Sequence, residues 1–481
     1  MGNQHVIKIN LQGGIVSPGD LREILKIAAN CGIDSVRFVN RQQLLFLVAA
    51  SRLEDLLDSF EVSDILCEVD ADLYPNIVSS YVTDEIFSAE SWLREGVYKD
   101  ILDGFSHQPQ LKINIIDQYQ DLIPFFTGNL NYISSETSNY WYLYVRFPKT
   151  NIMFCWPSLV YSEDIAGLSL SIEQVISSEP SVFYGQPKIN SEALYRKVST
   201  KNFSFQPYEH PLIHTGFQLP FYEGLNKYGN NKLWLGIYRR KETFNIDFLA
   251  ALCELCLQTH IGQLYITCWK SVLVKSICQE DRKFWGTLLD KYRVNIRHAA
   301  NELNWQLEDL CDEAIILKLA LVKKLEEADQ RTSRLCFAIK TQPNTGLFAS
   351  IIIQKMPAAS KKDSLYDVLH TRDFNPNSKD FVTFSGNIRR AELAEKILQI
   401  CDYFYSLYST DVPSLVGKPE EKLTVEKVIE VYQCKYCMTI YNETYGDELN
   451  RINPGTKFED ITTYLCPVCD AAKENFVAIQ G

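Results

Sequence analysis

The chain opens on an alternation of apolar and polar positions. Ile7, Ile9 and Leu11 recur at every second residue, the period of a half-buried strand. Gly13-Gly14 interrupts it. Ser17-Pro18-x-Asp20 has the form of a helix start, and the helix it predicts keeps Leu21, Ile24, Leu25 and Ala28 on one face until Cys31-Gly32. Val36 and Phe38 alternate again, and Leu44 to Val48 reads as a more continuous strand. The same strand–helix–strand–strand pattern returns at an offset of 228. Ile7 and Ile9 fall on Leu235 and Ile237; Leu21, Ile24 and Ala28 fall on Leu249, Leu252 and Cys256. Ile33, Val36 and Phe38 fall on Ile261, Leu264 and Ile266, and Leu44 and Phe46 on Val272 and Val274. Each copy, about residues 5–50 and 233–278, leaves one sheet face apolar, so the two are expected to pair into one domain.

Residues 121–160 are rich in aromatic rings, and Tyr140-Trp-Tyr-Leu-Tyr-Val-Arg-Phe has the spacing of a strand inside a sheet. Core packing is the expected role of these rings, with a ring-lined pocket as the alternative. Residues 411–427 carry two prolines, one glycine and many charges, and read as a linker between a large region, 1–410, and a small domain, 428–481. The fold class expected is α+β.

Composition narrows the function. The chain has 481 residues and 46% hydrophobic residues, enough for large cores. A net charge of −12 argues against nucleic acid as a partner, since phosphate binding needs clustered Lys and Arg. No apolar run approaches the ~18 residues of a membrane span, and no charged head followed by an apolar stretch marks a secretory signal. A cytoplasmic protein without membrane contact is expected.

Of the 14 cysteines, four form a metal-ligand pattern: Cys434-x2-Cys437, 28 residues, then Cys466-x2-Cys469. Two residues between cysteines let one tight turn aim both sulfurs at a single centre, and two such knuckles make a tetrahedral four-sulfur site for iron or zinc. Zinc ribbons carry a shorter gap, about 15 to 20 residues. Cys253-x2-Cys256 lies within a helix expected over Asp247 to Leu257, where both thiols fall on or beside the apolar side. His210 and His214 have helical metal spacing but are separated by Pro211. Arg239-Arg-Lys241 reads as a solvated strand end, with a seat for an acidic partner as the alternative.

The residues between the knuckles carry a resemblance. Pro454-Gly-Thr-x-Phe458-Glu-Asp460, Cys466-Pro-Val-Cys469, Lys473 and Phe476 resemble rubredoxin over about residues 430–479. The resemblance implies one iron per domain, cycling between Fe3+ and Fe2+ on Cys434, Cys437, Cys466 and Cys469. It also implies a small aromatic core of Tyr432, Tyr441, Tyr445, Phe458, Tyr464 and Phe476. Rubredoxins place Gly after each Cys pair, where this chain has Met438 and Asp470, and Tyr464 stands where Trp is common. Between Val428 and Gly481, four basic residues meet eight acidic ones, an acidic face suited to a basic docking patch.

Ile9-Asn-Leu-Gln-Gly-Gly-Ile and Val36-Arg-Phe-Val-Asn-Arg-Gln-Gln-Leu44 resemble the ferredoxin-like half-repeat of sirohaem-dependent nitrite and sulfite reductases, enzymes that contain two such half-repeats. By that resemblance Arg41 matches an arginine that pairs with sirohaem carboxylates. Lys112, in Gln108-Pro-Gln-Leu-Lys-Ile113, matches the second of a lysine pair whose first member is replaced by Gln110. The reductases hold a four-iron cluster through Cys-x5-Cys and Cys-x3-Cys, and neither spacing occurs here. The expected function is therefore a one-electron carrier whose large domain is a docking platform for a redox partner, with nitrate, nitrite or sulfite reduction as the setting. The resemblance to rubredoxin implies a flavin-dependent NAD(P)H:rubredoxin reductase or a ferredoxin system as donor and an oxidoreductase as acceptor. Two alternatives remain open. One is an enzyme whose large domain binds a tetrapyrrole or another anionic cofactor through Arg41 and Lys112. The other is a zinc-binding adaptor.

Overall fold

A computed structural model describes residues 4–88, 91–198, 203–212, 216–229, 231–342, 346–357, 364–408, 430–447 and 449–480. The linker expected at 411–427 and His214 lie outside these residues. The chain divides into two compact units: residues 1–150, 156–208 and 220–303, and residues 151–155, 209–219 and 304–481.

In the first unit the alternating segment forms β1 (Gln4–Asn10). It is followed by β2 (Ile15–Val16), α1 (Pro18–Asn30), β3 (Ser35–Phe38), β4 (Gln43–Ala49) and β5 (Glu68–Val69). β1 pairs antiparallel with β4 in a register that sets Ile7 opposite Phe46 and Ile9 opposite Leu44. Ser17 caps α1 by accepting the Asp20 N–H at 3.0 Å, and Pro18 fits the first turn because its missing N–H would have had no helical partner. In the second copy Asn245 takes the same place, accepting the Phe248 N–H at 3.1 Å ahead of the helix Ile246–Gln258.

The copies exchange strands. β2 pairs with Leu264–Ile266 of the second copy, and Phe244–Asn245 pairs with β3 of the first. One hydrophobic core runs through both, from Ile7, Leu21, Leu25 and Phe38 to Leu235, Leu249, Leu252 and Val274. Cys253 and Cys256 are fully buried in it, and burial pushes both thiols up.

The duplication extends past the half-repeats. In the first unit, β6 (Val78–Ser79), β7 (Ile113–Ile116) and β8 (Leu130–Ser134) run parallel, and β9 (Tyr140–Arg146) returns antiparallel. The second unit repeats the scheme: Trp305–Leu307, Phe337–Lys340 and Ile351–Lys355 are parallel, and Leu365–Thr371 is antiparallel. Asn76 and Asn304, again 228 apart, are buried just ahead of each sheet. Asn76 Nδ2 donates to the carbonyls of Leu11, Arg41 and Gln42, and Asn304 Nδ2 to Thr332 Oγ1 and the Leu335 carbonyl. The aromatic stretch packs as core: Trp141, Tyr144 and Phe147 are fully buried, with the Phe126 and Tyr144 rings edge to face at 5.2 Å.

The second unit also holds a small three-stranded sheet, Glu430–Cys434 between Ile440–Tyr441 and Phe476–Gln480. Phe458 centres its core, stacked on Tyr432 at 4.3 Å and edge to face with Tyr464 at 5.3 Å; Tyr441 and Phe476 complete it. Tyr445, expected in this core, is placed elsewhere: it is half-buried, and its hydroxyl accepts from Tyr403 at 3.2 Å. Its hydroxyl meets a side chain outside the small sheet, whereas Tyr441 and Tyr464 reach the Thr456 carbonyl and Asp447 from within the core. Among the described residues, no helix is long and apolar enough to cross a membrane.

Candidate metal centre

The two knuckles are built alike. In the first, the Met438 N–H donates to the Cys434 carbonyl at 2.9 Å and the Cys434 N–H to the Thr439 carbonyl at 2.8 Å. In the second, Asp470 N–H donates to Cys466 O at 2.9 Å and Cys466 N–H to Ala471 O at 2.8 Å. Closing so tight a turn requires a left-handed residue after each pair, and Met438 (φ +60°) and Asp470 (φ +56°) adopt it without being glycine. The site thus carries backbone strain on the order of 1 kcal/mol or more at each position.

The four sulfurs lie within 4.8 Å of one another, with Cys434 to Cys469 at 3.6 Å and Cys437 to Cys466 at 3.3 Å. Metal–sulfur bonds of ~2.3 Å in a tetrahedron imply sulfur–sulfur edges of ~3.8 Å, so the donor set fits one four-coordinate ion. Cys434 and Cys466 are fully buried; Cys437 and Cys469 are half-buried. Thiols this close cannot all ionise unaided. Hydrogen bonds among them hold Cys434 and Cys466 low and push Cys437 and Cys469 high. A cation at the centre removes that conflict. Among the described residues, no other group of three or more His, Cys, Asp or Glu side chains is placed to hold a metal.

The surrounding shell is fixed by polar contacts. Lys473 Nζ donates to the carbonyls of Glu459 (3.0 Å) and Ile461 (2.7 Å) and lies 5.3 Å from the Phe458 ring centre. Tyr464 donates its hydroxyl to Asp447 Oδ2 at 2.7 Å, a bond that a Trp there would have to make with a differently placed N–H.

Residues 431–476 match the family model described as rubredoxin. The segment is 48% identical over 48 residues to Rubredoxin-1 of Pseudomonas putida, covering 10% of this chain and 27% of that protein. It is 42% identical over 52 residues to Rubredoxin-2 of Chlorobaculum tepidum, covering 11% of this chain and 100% of that protein. The chain belongs to the rubredoxin family. Its rubredoxin domain carries one iron on the four-cysteine group, an electron-carrier centre. Residues 2–62 match the nitrite/sulfite reductase ferredoxin-like half domain. The chain also shares its fold with the NirA protein of Mycobacterium tuberculosis, at a TM-score of 0.60 and 12% identity over 85% of this chain and 84% of that one. The chain is therefore a fusion of a reductase-like α+β region with a rubredoxin domain.

In the large region, Arg41 and Lys112 are neighbours whose charges repel. The Arg41 guanidinium is held by protein acceptors: Nη2 donates to the carbonyls of Asn76 (2.6 Å) and Ile113 (3.1 Å), and Nη1 to Asn114 Oδ1 (3.3 Å). Burial lowers it to about 10. Lys112 is exposed at the surface yet set in dense surroundings; its ammonium is lowered by desolvation first and then by Arg41. Gln110 is anchored differently, its N–H donating to Glu173 Oε2 at 2.7 Å.

Sequence reasoning missed a third member of this group. Arg146 ends the aromatic strand β9, contributes to lowering Lys112, and is itself lowered to about 10 by burial. Its Nε and Nη2 are buried without a hydrogen-bond partner. The only signal in the sequence is an arginine closing an otherwise apolar run. His210 is exposed, and Arg240 of the short basic run forks onto Glu302 with two 2.7 Å bonds.

Proposed function

We propose that the protein is a one-electron carrier in which the reductase-like region is a docking platform and the rubredoxin domain exchanges electrons with a partner gripped there. The observation that carries this reading is the closed four-thiolate site. Four sulfurs leave iron no open position for substrate, and nearly the same geometry serves both oxidation states, so one electron enters or leaves without a bond breaking. Cys437 and Cys469, the two half-buried ligands, are the route to a partner at the surface. The acidic balance of residues 428–481 favours a basic partner face. The donor in this reading is a flavin-dependent NAD(P)H:rubredoxin reductase or a ferredoxin system, and the acceptor an oxidoreductase of nitrate, nitrite or sulfite reduction, in the cytoplasm.

A second reading has one observation in its favour. The buried, unpartnered Nε and Nη2 of Arg146 and the charges of Arg41 and Arg146 acting on the surface-exposed Lys112 make a positive group suited to an anionic cofactor. In that reading the large region is an enzyme fed by its own rubredoxin domain.

The visible spectrum and metal content of aerobically purified protein, before and after dithionite, separate these. The carrier reading expects one iron per chain and thiolate-to-iron bands that bleach on reduction. Tetrapyrrole or flavin bands would replace it with the enzyme reading, and a colourless zinc protein would remove electron transfer. Cys466→Ser is expected to abolish iron loading; a native iron spectrum in that variant would refute the ligand set.

A further inference from the structure

The two knuckles match bond for bond, but not in what stands two residues after the second cysteine of each. After Cys437 that residue is Thr439; after Cys469 it is Ala471. Both offer their carbonyl to the first cysteine of the knuckle at 2.8 Å, so both backbones are held equally. Only Thr439 adds a side-chain contact. Its Oγ1 lies 3.0 Å from Cys437 Sγ, and the residue is 5% exposed.

We propose that Thr439 is a positioning residue that raises the reduction potential of the iron by donating its hydroxyl hydrogen to the Cys437 thiolate. The proposal rests on the one-electron carrier reading. A thiolate bound to iron has no proton, so the hydroxyl must be the donor in the loaded protein. Reduction adds one electron and no proton to the iron–thiolate group and so adds one negative charge. A donor aimed at sulfur stabilises the more negative, reduced form more than the oxidised one. Burial sharpens the effect, because water does not compete for the bond. The strained Met438 supplies the geometry, since its left-handed backbone directs the next residue back over the sulfur. Ala471 has no hydroxyl with which to make the same bond in the second knuckle, so this contact distinguishes the Cys437 side.

The test is the midpoint potential of the full chain, titrated with dithionite and mediators, in the parent, Thr439→Val and Thr439→Ser. Val keeps the shape and loses the hydroxyl; Ser keeps the hydroxyl. T439V is expected to disfavour reduction about tenfold, which for a one-electron couple is ~59 mV downward. It is also expected to move the thiolate-to-iron bands to longer wavelength, because the sulfur donor orbital rises. T439S is expected to stay near the parent. An unchanged potential in T439V, or a T439S potential that falls with it, overturns the proposal. Should T439V not take up iron, T439S against T439A gives the same comparison, since those two differ only by the hydroxyl. Failure of the carrier reading itself is visible beforehand, as an iron-free parent protein.

Discussion

The two copies of the half-repeat share a backbone and differ in chemistry. Gly14 and Glu242, 228 apart, both sit at positive φ (+76° and +55°), as do Gln42 and Lys270 (+56° and +58°). In the first copy the Gln42 amide reaches across to Ser79, donating to its carbonyl at 3.0 Å and accepting its N–H at 2.9 Å, and donates to the Ile266 carbonyl at 2.9 Å. In the second, the same two positions form an ion pair, Lys270 Nζ to Glu242 Oε2 at 2.7 Å, with both side chains about 5% exposed. Arg41 in the first copy is matched by Trp269 in the second, which is buried and donates its indole N–H to the Leu122 carbonyl at 2.7 Å. Duplication thus kept the turns and released the side chains. The first copy retains the Arg41 guanidinium, whose charge acts with that of Arg146 on Lys112 beyond the copy, while the second is closed by an internal pair and an indole.

The strongest test of this contrast breaks the ion pair. Lys270→Met leaves Glu242 buried without its partner and is expected to cost about 3–5 kcal/mol in urea unfolding. The double change Glu242→Met with Lys270→Met is expected to recover most of that loss, because no charge is then left unpaired. A small cost for K270M alone would mean that Glu242 finds another partner and that the second copy is not closed in this way.

Gly14→Ala tests the first copy. A Cβ there would stand 2.4 Å from Gln42 Nε2 and 2.8 Å from the Ile266 carbonyl, on a backbone at φ +76°. Displacing Gln42 forfeits its buried bonds, and the left-handed conformation adds strain, so about 2–4 kcal/mol is expected. The matching position in the second copy already bears Glu242, so Glu242→Ala is expected to suffer no such clash and to destabilise through loss of the ion pair with Lys270 instead. The two losses separate on adding Lys270→Met, which rescues only E242A.

Arg146→Met is expected to change stability in the opposite direction. Removing a buried guanidinium with unsatisfied Nε and Nη2 should stabilise the protein by roughly 1–2 kcal/mol in anion-free buffer. Sulfate or sulfite is expected to raise the melting temperature of the parent and to leave that of R146M unmoved. Destabilisation by R146M would show that Arg146 is a structural anchor like Arg41, and the contrast between the copies would lose its functional side.

How much of this was legible in the sequence follows from the distance between the interacting residues. The knuckles compress each ligand pair into four residues, so spacing alone gave the donor set, and the absence of glycine after each pair flagged Met438 and Asp470, where the backbone is in fact left-handed. The half-repeats were legible because one offset holds from β1 through β4. The duplication of the parallel sheets was not, because loops of unequal length between those strands shift the offset at every step, and the period disappears though the strand order survives. Arg146 was hidden for another reason: its significance lies in what it lacks in three dimensions, and a lone arginine at a strand end has no sequence signature. Tyr445 was misassigned to the small core because an aromatic residue in a short domain is expected inside, while its hydroxyl in fact meets Tyr403.

The smallest effects ask whether the copies remain equivalent where nothing functional distinguishes them. Ser17 and Asn245 cap their helices through the same bond, to Asp20 N–H at 3.0 Å and Phe248 N–H at 3.1 Å. Loss of a cap costs about 1 kcal/mol, so Ser17→Ala and Asn245→Ala are each expected to lower stability by that amount. Asn245 does a little more, since Nδ2 also reaches the Asp34 carbonyl at 3.4 Å, within the strand exchange that joins the copies. N245A is therefore expected to be the costlier by a few tenths of a kcal/mol. The double variant decides whether the exchange couples the two helices. Additive losses mean that each copy folds its helix on its own cap, whereas a double loss larger than the sum means that each helix is held in part by the other copy's strand. Such coupling would tie the first copy's basic group to the integrity of the second, and the contrast between them would be one of chemistry alone.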